Sequence, residues 1–568
     1  MNNMFLITSF EDVETFKRHS NCVGFSESYP IIQANPNSSL KYFLDFDYNA
    51  VDLSKLTGEL ASSWYRDEYG SDMFNSDDFS IGTMLNYSLM VEFASIIRYY
   101  FAFREHSSRY RKMFLSSSSP EALKAASTPF AHKVEFYPSS GCSDHIVSAP
   151  PRGGISDPVV YRFLSMFLRT FQFPFRFFLK DKVLIFNDWT YKEIKGKKIL
   201  NINKLSILKT FCLRYGSSYQ KIAKSVFPKE IPRRAVELNM RRVFLKFGVA
   251  SDIIDDLLDI LAQAVCSKYH SSKRSLLRTY CSHKELFDVY RPSMVILPSC
   301  SRAHVQTIYS IARARKIPTV YIQDGFSIYI DKYLIPKDQK NNGYMFDYFA
   351  TMSNYADDRI MSILGGEIDI LKILPPVVET YSIDHNTNIN TNTIAIVLFP
   401  YGALHSPYCR WDKRYKYVIE VVSLLKSLGY SNIVVKMKNG FDRYRDNENN
   451  LMRLLLNDAG CKDVEMVFGL FSDYVDKAQI VIGPMGTAIL ESIYREIPFY
   501  AYEPEYLGIT DWFMKNSMFV DCSSVSRDIK KLKRLIQNHL PMQLDHDKVF
   551  NRGSIRNLDF GELVKNFQ

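Results

Sequence analysis

Residues Ala478–Glu503 read AQIVIGPMGTAILESIYREIPFYAYE, an apolar strand that runs through a small-residue loop into a helix and out to another strand. The strand spans Ile480–Gly483, the helix Met485–Glu496, and the second strand Pro498–Tyr502. Gly483 and Gly486, with Pro484 between them, let the backbone turn tightly and approach a ligand closely. The loop delivers the amides of Thr487 and Ala488 to a helix N-terminus, where free N–H groups favour an anion. Thr487 adds a hydroxyl. Glu491 follows within the first helical turns, where a carboxylate can accept from two ribose hydroxyls. Tyr500 and Tyr502 are placed to line a nucleobase slot. A plain βαβ turn with a glycine-rich loop is the competing reading.

Upstream of this stretch the same alternation repeats. Ile394–Phe399 is an apolar strand ending in Pro400, Tyr401 and Gly402. An amphipathic helix over Lys413–Leu428 stops at Gly429, and Asn432–Met437 forms the next strand. A helix over Glu448–Asp458, a strand over Val464–Phe468 and a short helix over Phe471–Ala478 follow, with a basic helix, Arg527–Asn538, at the end. Short apolar strands separated by helices imply a parallel, doubly wound sheet. Before this unit lies ETYSIDHNTNINTNT, Glu379–Thr393, a polar linker or surface loop. Earlier strands are expected at Met294–Pro298, Thr319–Gln323 and Tyr348–Met352, with a helix over His304–Ala314. Residues 1–290 are less legible. Strand character shows at Met4–Ser9 and Tyr42–Phe46, helical character at Tyr87–Glu105 and Ile253–Tyr269, and a strand exit with a turn at Asp188–Lys198. One further α/β sheet with helical insertions is expected there.

The composition fits globular α/β domains. The 568 residues are 46% hydrophobic and 23% charged, which excludes a disordered chain. That length suits two to four domains at about 100–200 residues each. No apolar run approaches the ~18–20 residues that cross a bilayer. The opening MNNMFLITSFEDVETFKRHS lacks a basic region and a small-residue cleavage site, so no secretory signal is expected. Nine cysteines are dispersed with no CxxC spacing, which argues against a disulfide framework or a structural zinc and for a cytoplasmic protein. No HExxH is present, so a zincin-type metal site is not expected. The run Asp252, Ile253, Ile254, Asp255 and Asp256 falls in a helical pattern and reads as a solvated face.

The net charge of +10 is concentrated. Residues 169–247 hold nineteen Lys or Arg against five Asp or Glu, a net of +14. Seven Phe interleave with Arg162, Arg169 and Arg176 at the start of this region. A solvated helical face, an anionic membrane surface contacted through 160–247, and nucleic acid are the three partners such a segment could serve. Nucleic acid fits least, because no recognition signature accompanies the cations and the Phe cluster is too apolar for an exposed stacking platform.

The stretch GPMGTAILESIYREIPFYAYEP, with FSDYVDKAQIVIG before it, resembles the donor site of GT-B glycosyltransferases. The resemblance is clearest over about 290–505 and is most like bacterial surface-polysaccharide (capsule or lipopolysaccharide) transferases and teichoic-acid-type polymerases. It implies two Rossmann-like α/β domains facing across a cleft. Residues 1–375 would be the acceptor domain, with a basic and aromatic helical insertion over about 160–290. Residues 376–540 would bind the nucleotide-sugar, and 541–568 would cross back to the first domain. Gly486, Thr487 and Ala488 would hold the donor phosphate and Glu491 the ribose. Relatives carry a basic residue and then His-Pro after the second strand of the donor domain. Here the strand ends Val435, Lys436, Met437, Lys438, Asn439, so Lys436 and Lys438 would meet phosphate or a sugar carboxylate, or else be a solvated strand end. Where relatives have Gln-His-Gly, this chain has Gln323, Asp324 and Gly325. Asp324 stands where a general base would, although an Asp-Gly pair also simply forms a turn.

Two loops are secondary candidates. Tyr401 and Gly402 would face the same cleft. Trp64, Arg66 and Asp67 combine an aromatic face with charges, which suits a sugar acceptor or a buried Trp beside a salt-bridged pair. The expected activity is transfer of a sugar from a UDP- or CMP-activated donor to a growing bacterial glycan or lipid-linked acceptor, on the inner face of the cytoplasmic membrane. The nucleotide-sugar would be a substrate, with no cofactor. A CDP-polyol phosphotransferase of the teichoic-acid type and a sugar-nucleotide epimerase are the rival readings.

Overall fold

A computed structural model describes residues 2–27, 31–32, 35, 39–45, 50–67, 69–76, 79–138, 183–185, 193–194, 197–201, 230–297, 303–322, 346–351, 357, 360–361, 369–373, 394–399, 411–437, 452–469, 471–484, 486, 488–504 and 525–543. Within them the chain builds three α/β sheets in succession.

The first sheet contains β1 (Asn3–Ile7), β2 (Cys22–Ser26), β3 (Lys41–Tyr42), β6 (Met113–Ser116) and β7 (Val134–Tyr137), and between them run α1 (Phe10–Lys17), α2 (Ala50–Ser63), the hairpin of β4 (Asn75–Ser76) and β5 (Phe79–Ser80), α3 (Ile81–Arg109) and α4 (Glu121–Ser127). The strand order is β3-β2-β1-β6-β7, all parallel. β1 forms because Met4, Phe5, Leu6 and Ile7 are apolar on both faces of a parallel sheet. Ser9 then stops the strand and starts α1 with a capping box shared with Asp12.

The second sheet contains β8 (Val183–Ile185), β9 (Glu193–Ile194), β10 (Lys197–Asn201), β11 (Met294–Leu297), β12 (Thr319–Ile322), β13 (Tyr348–Thr351) and β14 (Asp369–Lys372). Among the described residues two helices, α5 (Arg233–Lys246) and α6 (Ser251–Tyr290), lie between β10 and β11, and α7 (Ala303–Ala314) lies between β11 and β12. The order is β14-β13-β12-β11-β8-β10-β9, parallel except where β9 pairs antiparallel with β10. The long α6 ties the first two units together. Its Asp256 accepts from the Tyr100 hydroxyl of α3 at 2.7 Å, and its Asp252 accepts from Arg104 at 2.7 Å. The acidic run of α6 therefore makes helix-to-helix bonds, and is more than a solvated face.

The third sheet contains β15 (Ile394–Leu398), β16 (Ile433–Lys436), β17 (Glu465–Val467), β18 (Ala478–Gly483) and β19 (Phe499–Ala501). Its helices are α8 (Trp411–Ser427), a helical turn pair at 452–458, α9 (Ser472–Val475), α10 (Ala488–Tyr494) and α11 (Ile529–Gln537). The order is β17-β16-β15-β18-β19, all parallel. Period-two alternation divides β15 between two cores. Ala395 and Val397 pack towards α8 with Val418, Val421 and Val422, while Ile394, Ile396 and Leu398 join the apolar cluster on the other face.

The α/β class with parallel sheets is as the sequence predicts. Two features differ. Among the described residues, 1–375 hold two sheets, where the resemblance implies a single Rossmann-like domain. Part of the segment taken as a helical insertion, 160–290, is sheet: β8 lies between β11 and β10 inside the second sheet. The apolar run Val183–Phe186, four residues set between charges at Asp181, Lys182 and Asp188, is a short signal, and the strand covers only its first three. The Asn/Thr-rich linker, the Phe-rich stretch and the proposed return segment at 541–568 lie outside the described residues, apart from 541–543. No helix among the described residues is long and apolar enough to cross a membrane.

Candidate functional site

In the third sheet the strand order reverses between β15 and β18. Chain leaves these neighbours in opposite directions and opens a crevice above their carboxyl ends. Gly483 closes β18 there. A Cβ at Gly483 would lie 2.5 Å from Leu398 Cδ1, so the glycine is what lets the two strand ends meet. Gly486 is different: a Cβ would meet nothing nearer than the Pro484 carbonyl oxygen at 4.0 Å, and its φ is not positive. The Gly486 carbonyl accepts from the Ile489 amide at 3.1 Å, which starts α10.

Glu491 points from α10 into the protein. It is 7% exposed, and its Oε2 has no hydrogen-bond partner among the described residues. Burial pushes its carboxyl up to about 7; Arg495 and Lys436 pull it down and Asp473 and Asp476 push it further up. Arg495 is itself engaged by Asp476 in an ion pair. Lys436, the last residue of β16, is 7% exposed and donates to its neighbour's carbonyl, Met437 O, at 2.6 Å. Burial lowers its pKa, while Asp473 and Glu491 hold it up. The ends of β16 and β18 and the starts of α9 and α10 thus gather a lysine, an aspartate and a glutamate around one edge. A buried carboxyl oxygen with no donor is costly, and a ligand bearing hydroxyl or amine donors would relieve that cost.

Lys436 and Glu491 are near enough for each to shift the other's pKa, and Glu491 is buried more deeply than a cleft residue. Asp473 was missed; its signal was the Ser472-Asp473 pair opening a helix just after a strand end. Pro484 and Ala488 are part-exposed on the same loop. Asp324, Tyr401, Gly402, Lys438 and Thr487 lie outside the described residues.

Two expectations are corrected. Tyr502 is fully buried, stacks on Tyr417 with ring centroids 5.3 Å apart and donates to Glu420 at 3.2 Å, so it packs the sheet against α8 and lines no nucleobase slot. Tyr500 is likewise core. Trp64 is fully buried between Tyr65 and Phe74, where it cannot face a glycan. Its neighbours hold their own loop. Arg66 Nε donates to Ser62 O at 2.9 Å, and Asp67 Oδ1 accepts from the Tyr69 and Ser71 amides at 2.9 and 2.8 Å. Aromatic, cation and carboxylate in a row looked like a sugar platform, but the indole is needed by the core. Among the described residues no group of three or more His, Cys, Asp or Glu could hold a metal ion.

No protein family and no curated protein matches this chain. Solved structures resemble it loosely. A UDP-GlcNAc 2-epimerase from Neisseria meningitidis bound to UDP-GlcNAc is 10% identical, over 68% of this chain and 98% of its own, with a TM-score of 0.33. A UDP-N-acetylglucosamine 2-epimerase from Rickettsia bellii is 13% identical, over 63% of this chain and 95% of its own, with a TM-score of 0.30. A glycosyltransferase from Rickettsia africae ESF-5 is 11% identical, over 68% of this chain and 98% of its own, with a TM-score of 0.29.

Proposed function

We propose that the chain is a sugar-nucleotide enzyme of GT-B layout that transfers a sugar from a nucleotide-sugar to a growing bacterial surface glycan or a lipid-linked acceptor. The observation that carries this reading is the unbonded Oε2 of Glu491 above the reversal point of the third sheet, with Lys436 beside it. A carboxylate there suits the paired hydroxyls of a ribose. Lys436 suits a phosphate, and the loop at Gly486 would have room for one because no side chain among the described residues fills the space over it. Thr487 and Ala488 would add loop donors. Lys438, Tyr401 and Gly402 are proposed on the same edge, and Asp324, after β12, as the base that activates the acceptor hydroxyl. The phosphate charge would be met by lysine and amides, without a metal.

Calorimetric titration of the full chain with UDP, CMP, CDP and GDP tests the reading. One nucleotide should bind, and Glu491→Ala should weaken it at least about 100-fold, the value of two hydrogen bonds to a charged group. No binding of any nucleotide to the unaltered chain overturns the reading. Product analysis then separates the chemistries. Transfer frees the nucleotide and lengthens the acceptor; an epimerase converts the sugar without an acceptor; a polyol transferase consumes CDP-glycerol.

A further inference from the structure

We propose that the outer face of α5 docks the protein onto a membrane surface rich in anionic lipid. The inference is independent of the nucleotide reading. α5 is anchored on its inner side by Val236, Met240, Val243 and Phe244, all buried. Several of its cations are spent on neighbours: Arg233 on Glu237 at 2.8 Å, Arg241 on Asp255 of α6 at 2.7 Å and Lys246 on Glu59 of α2 at 3.0 Å. Arg234 and Arg242 are exposed and make no ion pair or hydrogen bond among the described residues. Between and beside them stand Leu238 and Leu245, 52% and 59% exposed. Positions 234, 238, 242 and 245 fall on one face of a helix.

A single exposed leucine means little. Two on one stripe, seven residues apart and flanked by unpaired arginines, form the pattern of a helix lying in a lipid interface, with cations at the headgroups and apolar side chains just below. Charge complementarity fixes the sign of the surface, because α5 itself carries Arg233, Arg234, Arg241, Arg242 and Lys246 against Glu237 alone. It also separates α5 from α11, which exposes Lys530, Lys533 and Arg534 but no apolar side chain within its length. A nucleic-acid backbone would use the arginines and gain nothing from the leucines. An acceptor carried on a lipid would lie on the same surface that α5 grips.

The test is sedimentation of the full chain with vesicles of phosphatidylcholine and phosphatidylglycerol in equal parts, beside vesicles of phosphatidylcholine alone. Partition is expected only to the anionic vesicles, and should fall when salt is raised to about 1 M, where screening reaches about 3 Å. Arg234→Gln with Arg242→Gln should lower partition about 25-fold, at about fivefold per cation. Leu238→Ser with Leu245→Ser should lower it at least about tenfold, with charge unchanged. Lys530→Gln with Lys533→Gln on α11 should leave it within about twofold of the unaltered chain. All six positions are exposed, and unchanged thermal melting of each variant confirms that folding is intact. Absence of partition, or partition that survives both α5 variants, overturns the proposal. So does tight binding of single-stranded RNA that the arginine variant abolishes and the leucine variant leaves intact.

Discussion

In the first sheet the carboxylate at the strand reversal is bonded by the protein's own chain; in the third sheet the carboxyl at the equivalent place has an oxygen with no partner among the described residues. The two sheets have the same order, third, second, first, fourth and fifth strand, all parallel. The first reverses between β1 and β6, the third between β15 and β18. Asp12, 1% exposed, hangs from α1 over the first reversal. Its Oδ2 accepts from the Thr8 amide at 2.9 Å, the Thr8 hydroxyl at 3.0 Å and the Ser9 amide at 2.9 Å. Burial of Tyr137, at the end of β7, and after it the charge of Asp12 hold that phenol far above its ordinary pKa. Glu491 hangs from α10 over the third reversal with Oε2 unpaired. Topology makes a crevice in both places. The bonding state of the carboxyl separates them: one is tied into its turn, and the other has an acceptor that no donor among the described residues meets.

Removing the two carboxyls should therefore have opposite consequences. Asp12→Ala leaves two amides and a hydroxyl of the Thr8–Ser9 turn without their acceptor and removes a capping box. It should cost about 3–5 kcal/mol in urea unfolding, from hydrogen bonds to a charged group plus the lost cap. Nucleotide affinity of the folded variant should not change. A variant as stable as the unaltered chain would mean that Asp12 does not close the first crevice.

Glu491→Gln should act through pH. The folded carboxyl titrates at about 7 against an ordinary 4.5, so between those values the folded chain holds a proton that the unfolded chain has lost. Stability of the unaltered chain is then highest below about 4.5 in this respect and falls as pH rises towards 7. The fall is about 3 kcal/mol at full ionisation. Glutamine has no such titration, so the difference between the two chains should grow over this window and level off above it. Urea unfolding at pH 5, 6, 7 and 8 reads it directly; parallel curves would show that Glu491 is not held neutral. A bound nucleotide that needs the carboxylate would bind more tightly as pH rises through the same window.

Much of the third unit could be read from sequence because its strands are buried on both faces and so appear as unbroken apolar runs. IAIVLF, NIVVKM and AQIVIG all became strands within a residue or two of their expected ends. The second and fifth parallel strands of the first sheet were not legible. CVGFS and VEFY carry serine, glycine or glutamate and look like loop. Burial at Trp64 and Tyr502 was not legible either, since an aromatic beside charges reads the same in a core and at a surface. Nor could sequence separate Asp12 from Glu491. Each is an acid on the first turns of a helix after an apolar strand, and only the position of Thr8 and Ser9 in space shows that one is satisfied and the other is not.

The glycines of the third crevice sharpen the contrast at the smallest scale. Gly483 and Gly486 look equivalent in GPMG, yet one is demanded by packing and the other is not. Gly483→Ala pushes a methyl group into Leu398 and should cost about 1–3 kcal/mol. Gly486→Ala meets nothing nearer than Pro484 O at 4.0 Å among the described residues, at an ordinary φ, so stability should shift by no more than about 0.5 kcal/mol. A glycine held neither by packing nor by backbone geometry is accounted for if a ligand approaches the chain there. The methyl would then stand where a phosphate oxygen should pass, and nucleotide affinity should fall although the fold is untouched. Unfolding and titration of the same two variants separate the cases: stability lost at 483 and affinity lost at 486 is the expected pattern. Undiminished affinity in Gly486→Ala would move the ligand away from this loop and leave Lys436 and Glu491 as its only anchors on this edge among the described residues.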